Sequence, residues 1–486
     1  MYLLLTPILF PILAGCLLPL MGFGKNHKRL QQYVGAVVIA NTALVLLVIL
    51  GDLELRTMEI TPVLNIYLRT DDLSRFFALL ATSLWTLVTF YTFEYIKEKK
   101  AGRFYSFYLL SYGVILGACF SGNFFTLYLF YELMTLFTYP LVVHTGTKEA
   151  VKAGTKYLMY SFFGAGLCLM GFVFISAYGY TTDFIAGGAL NPALVAGNES
   201  VLLVVFFLAF LGFGCKAYIW PLFDWVPVSY PVAPAPAASL LSGVVSKVAV
   251  LALIRVTFYS FGADFVSGTW VQIALICITL LTVFAGSMLA FKEQLFARRL
   301  AYSSVSQLSY ILFGIIILSP IAFLGALLHV IFHGIIKVAL FLSAGAVAHK
   351  TGKTCVNELE GIGKAMPVTL WCFTLASLAL VGIPPTGGFI SKWYLAMGAI
   401  GSFPGLGLIG AGTLLISALL TGGYLIPIFA AGFFPGAKFD YNQLVNKEPG
   451  RFITAPLIVL AVLCVVLGMF PGAIVEFING ISVLIF

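Results

Sequence analysis

Residues 320–348 read PIAFLGALLHVIFHGIIKVALFLSAGAVA, a continuous apolar run in which His329, His333 and Lys337 are the ionisable groups. A helix needs about 20 apolar residues to cross the hydrocarbon of a bilayer, and this run exceeds that. Inside lipid a helix satisfies its own backbone, but its polar side chains need partners. An ionised group at the bilayer centre costs about 2.5–3.5 kcal/mol on insertion scales. The three titratable groups recur at i, i+4 and i+8, so they form a stripe on one helix face. A stripe of that kind requires further membrane helices to cover it.

The rest of the chain supplies them. Over 486 residues, 61% are hydrophobic and 9% charged, with mean hydropathy +1.04. A soluble domain carries about 25% charged residues, so lipid is the main solvent here. Apolar runs follow one another throughout, and the short alternating segments of a β-barrel are absent from the sequence. We read an all-α polytopic membrane protein with about fourteen transmembrane helices. The runs lie near 2–22, 32–50, 73–95, 104–121, 123–144, 156–178, 201–221, 236–261, 269–291, 301–318, 320–348, 367–400, 406–434 and 453–470, and a short apolar tail follows. The first run has its charges after it rather than before it, which reads as a retained helix and not a signal peptide.

The net charge of +8 sits in loops. Lys25, Lys28 and Arg29 follow the first run, and Lys97, Lys99, Lys100 and Arg103 the third. Lys148, Lys152 and Lys156 follow the fifth, Lys292, Arg298 and Arg299 the ninth, and Lys350, Lys353 and Lys364 the eleventh. Lys438, Lys447 and Arg451 follow the thirteenth. Every strongly basic loop is odd-numbered. This is a topology signal rather than a nucleic-acid surface, and it places the odd loops in the cytoplasm and both termini on the outer side of the cell membrane. The eight cysteines are scattered without a CxxC or iron–sulfur spacing and read as small core residues. The sequence carries no phosphate loop, nucleotide fingerprint, catalytic triad or redox-cofactor motif, so no cofactor is expected in this chain.

Two stretches break the pattern. Lys216 is followed by Pro221, Pro227, Pro231, Pro234 and Pro236, and Pro384 and Pro385 stand among glycines shortly before Lys392. Proline removes a donor and disrupts the preceding turn, which lipid tolerates only where the freed carbonyls meet a polar partner or line a cavity. Two broken helices, each beside an intramembrane lysine, point to a mid-membrane ion site, and the competing reading is a pair of ordinary kinks.

Lys216, Lys247, Lys337 and Lys392 lie deep inside apolar runs, and Glu132 is the acid well inside one. Burial disfavours an ammonium and a nearby carboxylate favours it, so Glu132 beside Lys216 would make a switchable proton carrier or else a static pair that fixes packing. His329, His333 and Lys337 suit a relay, since imidazole titrates near neutral pH. Satisfied core histidines are the plain alternative. Metal binding is the weakest reading, because no third ligand stands nearby in sequence. Asp224, just after Pro221, and Arg255, near a span end, are further candidates.

These residues sit in recognisable contexts. Phe213-Gly-Cys-Lys216-Ala-Tyr-Ile-Trp-Pro221-Leu-Phe-Asp224-Trp-Val-Pro227, then Ser246-Lys247 through Arg255, Arg299 through Gln307, His329 through Lys337 and Gly382-Ile-Pro-Pro385-Thr-Gly-Gly-Phe-Ile-Ser-Lys392 occur in order, with Tyr131-Glu132 and Pro140 upstream. The set resembles the antiporter-like subunits of respiratory complex I, membrane-bound hydrogenases and Mrp-type sodium/proton antiporters. Many relatives carry histidine where this chain reads Phe223-Asp224 and Tyr230, which leans toward the Mrp and hydrogenase branch.

The resemblance implies two inverted five-helix repeats, at 101–265 (helices 4–8) and 266–435 (helices 9–13), flanked by helices 1–3 (1–100) and by helix 14 with its tail (436–486). It implies a first site of Glu132 and Lys216, a connecting Lys247, a hydrated axis through His329, His333 and Lys337, and a terminal Lys392. It also implies sister membrane subunits, with hydrogenase or iron–sulfur subunits as further partners in a redox-driven assembly. Any hydrogenase-like or NADH:quinone-oxidoreductase-like activity would belong to that assembly. An Mrp-type antiporter without redox partners and a non-transporting scaffold remain the alternatives.

Overall fold

Long apolar runs fold as helices because only a helix closes every backbone hydrogen bond within its own segment in lipid. The computed structural model describes residues 2–23, 26–61, 63–96, 100–436, 439 and 447–486. Lys25, Lys97, Lys99 and Lys438 of the basic loops lie outside the described residues.

In chain order the helices are α1 (Tyr2–Leu17), α2 (His27–Ile49), α3 (Asp72–Tyr95), α4 (Ala101–Cys119), α5 (Phe124–Val142), α6 (Lys148–Tyr178) and α7 (Glu199–Lys216). Then come α8 (Ala235–Phe261), α9 (Trp270–Lys292), α10 (Phe296–Ile316), α11 (Pro320–Thr351), α12 (Pro367–Val381), α13 (Gly387–Ser402), α14 (Pro404–Phe433), α15 (Arg451–Met469) and α16 (Gly472–Ile485). Among the described residues, ten helices are long and apolar enough to cross a membrane. Each of the expected runs contains helix, and the protein is a polytopic membrane protein.

Several boundaries differ from the sequence reading. The helix of the 201–221 run stops at Lys216, and the chain makes irregular turns up to Ala235, with one short helical turn at Val226–Ser229. The freed carbonyls and the prolines of this stretch end the helix earlier than hydropathy suggested. The 367–400 run is two helices, α12 and α13, separated at Gly382 with φ of +90°. Glycine is needed there, since other residues adopt positive φ only with strain. The expected apolar tail is a helix, α16. Its Ser482 hydroxyl donates to the Pro320 carbonyl at 3.1 Å, and the Phe486 ring packs against Phe258 and Phe323. The α2–α3 connection holds an antiparallel hairpin, β1 (Glu54–Thr57) with β2 (Ile66–Arg69), pairing Glu54 with Arg69 and Thr57 with Ile66.

The layering explains where polar groups survive. α8 and α11 are almost wholly enclosed by protein, whereas in α2, α5, α6, α14 and α15 fewer than half of the residues in the most apolar stretch are buried. α11 packs against α10, α12 and α13, and α8 lies between α11 and the α3–α5 side. α8 is widened by π-type turns at Leu241–Val245 and Arg255–Phe261, which leave carbonyls without a regular helical donor.

Candidate functional site

Each buried lysine donates to at least one backbone carbonyl. Lys216 is the last residue of α7, at the electronegative end of that half-helix. It is 1% exposed, and its Nζ stands 3.5 Å from Glu132 Oε1, donates to the Tyr131 carbonyl at 3.0 Å and sits 3.5 Å over the Tyr131 ring. The Tyr131 hydroxyl donates to the Phe213 carbonyl at 3.1 Å, which ties α5 to α7. Glu132 keeps 20% of its side chain exposed, so the pair is open on the carboxylate side only.

Lys392 is the counterpart in the second break. Its Nζ donates to the Leu380 and Val381 carbonyls at 2.6 and 2.9 Å, capping the end of α12 from α13. Gly388 brings the two halves together: a Cβ there would stand 1.9 Å from the Ala379 carbonyl oxygen. Lys392 also faces the Tyr310 ring at 5.4 Å.

Between the breaks, Lys247 on α8 donates to the Ser242 carbonyl, which also accepts from the Ser246 hydroxyl, at 2.5 Å and meets His333 Nδ1 at 2.9 Å. His333 Nε2 is buried with no hydrogen-bond partner among the described residues. The rings of His333 and His329 stack, with centroids 5.7 Å apart and planes within 9°. His329 meets Ser391 Oγ at 2.9 Å and Gln307 Oε1 at 3.2 Å, and stacks on Tyr310 at 5.5 Å. Lys337, one helical repeat further, donates to Ser303 Oγ at 2.7 Å and the Leu300 carbonyl at 3.1 Å. Ser303 in turn accepts from the Tyr424 hydroxyl at 2.8 Å.

The structure therefore joins Lys247, His333, His329, Tyr310 and Lys392 into one run of contacts, with Lys337 beside it. Glu132 and Lys216 form a separate pair. Among the described residues no hydrogen bond or ion pair links Lys216 to Lys247. Tyr218 comes nearest to a bridge: its hydroxyl pairs with the Tyr230 hydroxyl and donates to the Leu241 carbonyl at 3.1 Å, next to the carbonyl that takes Lys247. Pro221 and Pro227 lie in the first turn region, and Pro384 and Pro385 in the second.

Two further candidates fall outside this run. Arg255 pairs with Asp71 at 2.7 Å. Burial alone would raise the Asp71 carboxyl, but Arg255, Arg69 and the Ser74 amide outweigh it and hold the carboxyl well below the usual range. Asp224 is exposed and pairs with Lys156. Among the described residues no group of three His, Cys, Asp or Glu side chains could hold a metal ion.

The sequence reading passed over Ser303, Gln307 and Tyr310 as site residues. They repeat at helical spacing on α10, a polar stripe facing the histidine stripe of α11; Arg299, in register with them, donates instead to the Glu293 and Tyr424 carbonyls. Tyr424 and Ser391 carry no comparable pattern.

The chain is 33% identical to an NADH-quinone oxidoreductase subunit of Desulforudis audaxviator (strain MP104C), covering 78% of this chain and 76% of that protein. It is 30% identical to a Na(+)/H(+) antiporter subunit of Alkalihalophilus pseudofirmus (strain ATCC BAA-2126 / JCM 17055 / OF4), covering 98% and 95%. Its fold matches a chain of the membrane-bound sulfane sulfur reductase, an archaeal respiratory membrane complex, with TM-score 0.87 at 21% identity over 100% of this chain and 98% of that one. Residues 121–417, which span both breaks and the histidine stripe, match the family described as NADH:quinone oxidoreductase/Mrp antiporter, TM, and the chain belongs to that family.

Proposed function

We propose that this chain translocates protons as the membrane subunit of a multisubunit complex, using Glu132, Lys216, Lys247, His333, His329, Lys337 and Lys392 as carriers. The observation that carries this reading is the Lys247–His333 contact at 2.9 Å, fully buried and followed by a stacked second imidazole. A proton shared across such a contact moves without a charged atom leaving its place, and His333 Nε2 supplies the next acceptor or donor. Glu132 acts as the switch at one end, since movement of its partly exposed carboxylate changes the support of the Lys216 charge. Lys392, held by carbonyls and a ring, forms the other end.

The inverted repeats fit the same reading. Residues 101–265 and 266–435 each hold a helix pair, one very long helix (α6 or α11), a lysine-bearing broken helix and a closing helix. Residues 1–100 and 436–486 flank them. The basic odd loops support cytoplasmic placement of those loops and outward termini in the cell membrane. On this reading the partners are sister membrane subunits, as for the relatives named as subunits, and the chain holds no cofactor of its own.

Two assays test the proposal. Capture of the tagged protein from mild detergent, with mass spectrometry of its companions, separates a redox-driven assembly from a cation/proton antiporter. Proton flux is then followed with a pH-sensitive dye in vesicles carrying the assembly. Unchanged flux in both Lys216→Ala and Glu132→Gln would remove the basis for the reading. Loss of the assembly with no transport defect in what remains would make the chain a scaffold.

A further inference from the structure

A narrow cavity of about 520 Å³ opens between α3, α11, α15 and α16. It follows one face of α3 from Arg75 to Leu87. Twelve helical steps at about 1.5 Å each make it about 18 Å long. Half of a ~30 Å hydrocarbon core is about 15 Å, so the slot runs from the membrane edge to the midplane. Ile331 and Ile335 of α11 wall its deep end, and Leu467 of α15 and Phe477 of α16 its side. The wall is apolar apart from Ser83 and, at the mouth, Arg75.

The length and the apolar lining point to the occupant. Water finds too few polar partners in such walls. A single extended acyl chain suits the length and the apolar walls.

The mouth selects the headgroup. Arg75 directs its donors at the Ile49 carbonyl at 3.0 Å, Asp72 at 2.7 Å, the Gly51 carbonyl at 3.2 Å and Asp52. A guanidinium has five N–H donors, so one remains on Nη1. The Asp52 side chain is 91% exposed and that of Asp72 37%. Two carboxylates around one guanidinium repel an anionic headgroup and attract an ammonium. We infer that the slot binds one acyl chain of a zwitterionic aminophospholipid, with its phosphate at Arg75 and its ammonium at Asp52 and Asp72. Moving a chain from bilayer to slot brings no hydrophobic gain, because lipid tails are as apolar as leucine. The preference therefore lies in the headgroup. The chain would lie against the back of α11, since Ile331 and Ile335 stand two residues either side of His333.

The test uses the full chain in its membrane assembly and a phosphatidylethanolamine carrying a photoactivatable group in one acyl chain. Labelled peptides are mapped after illumination, with the outward face of α6 (Phe162 and Phe163, both exposed) as the measure of bulk lipid contact. Labelling should concentrate on α3 and α11 residues of the slot. Unlabelled phosphatidylethanolamine should compete about threefold better than phosphatidylglycerol, as one exposed ion pair allows. Leu79→Trp should abolish slot labelling while α6 labelling persists, and Asp52→Asn should erase the difference between the two lipids. Slot labelling no stronger than that of α6 would overturn the site. Equal competition by the two lipids against the wild-type chain would overturn the headgroup assignment.

Discussion

Replacing Glu132 by glutamine keeps the shape of the side chain and removes its charge from a lysine that is 1% exposed. At 3.5 Å the pair interacts by on the order of 5 kcal/mol at an effective dielectric of 20, and loss of one partner of a buried pair costs about 3–5 kcal/mol. Part of that is offset. Lys216 retains the Tyr131 carbonyl and the ring face, and a desolvated cation–π contact contributes about 2 kcal/mol. Glu132 is also partly solvated. The net loss should be about 2–3 kcal/mol, or about 30- to 150-fold in a step that needs the charged lysine. The assay is proton flux in vesicles at matched membrane levels of protein. Lys216→Met should be at least as slow, and the double variant no slower than Lys216→Met alone, because the pair acts as one unit. Flux above half of wild type in Glu132→Gln, or penalties that simply multiply, would refute the coupling.

Three further outcomes follow from the geometry. Gly388→Ala drives a methyl group into the Ala379 carbonyl; it should part the two halves of the second break, lower the apparent melting temperature by an overpacking cost of about 1–3 kcal/mol and slow flux, whereas Gly401→Ala, which meets nothing within 4 Å, should do neither. Asp71→Asn should destabilise the protein at pH 7 by about 1.5–3 kcal/mol, the usual worth of a hydrogen bond to a charged group. The Asp71 carboxyl lies below its unfolded value, so its stabilisation is complete above that value, near 4, and is lost as pH falls through the folded one; the melting gap between wild type and variant should narrow only below about pH 4. Ser303→Ala leaves the Lys337 ammonium with the Leu300 carbonyl alone and should slow flux about tenfold, since an unsatisfied buried charge costs more than 1 kcal/mol, while Tyr424→Phe should change it less.

The parts legible in the sequence were those written as local exceptions to a strong rule. A lysine, histidine, glutamate or proline inside an apolar run is conspicuous, so both breaks, the α11 stripe and the isolated Glu132 and Lys216 could be read directly, whereas the pairing of those two came from the family resemblance. Partners contributed by other helices were not legible. Ser391 approaches His329 only because α13 packs on α11, and the carbonyls that hold Lys247 and Lys392 have no sequence signature, since every residue has one. Short elements were lost for a different reason: the four-residue strands of the β1–β2 hairpin give too little alternation to distinguish them from a loop, and α16 is too short to stand out as a span. Arg255 appeared as a candidate because charge near lipid is rare, and the structure pairs it with Asp71 at the start of α3.

Lys247 offers the cleanest decision. Among the described residues no carboxylate pairs with it, so Lys247→Met removes an ammonium without stranding an opposite charge, and the assembly should still form. Proton flux should be measured in vesicles carrying the assembly with wild-type chain or Lys247→Met at equal amount. Flux reduced more than tenfold in an intact assembly is the expected result, and flux equal to wild type would show that protons do not travel through the buried lysine–histidine run.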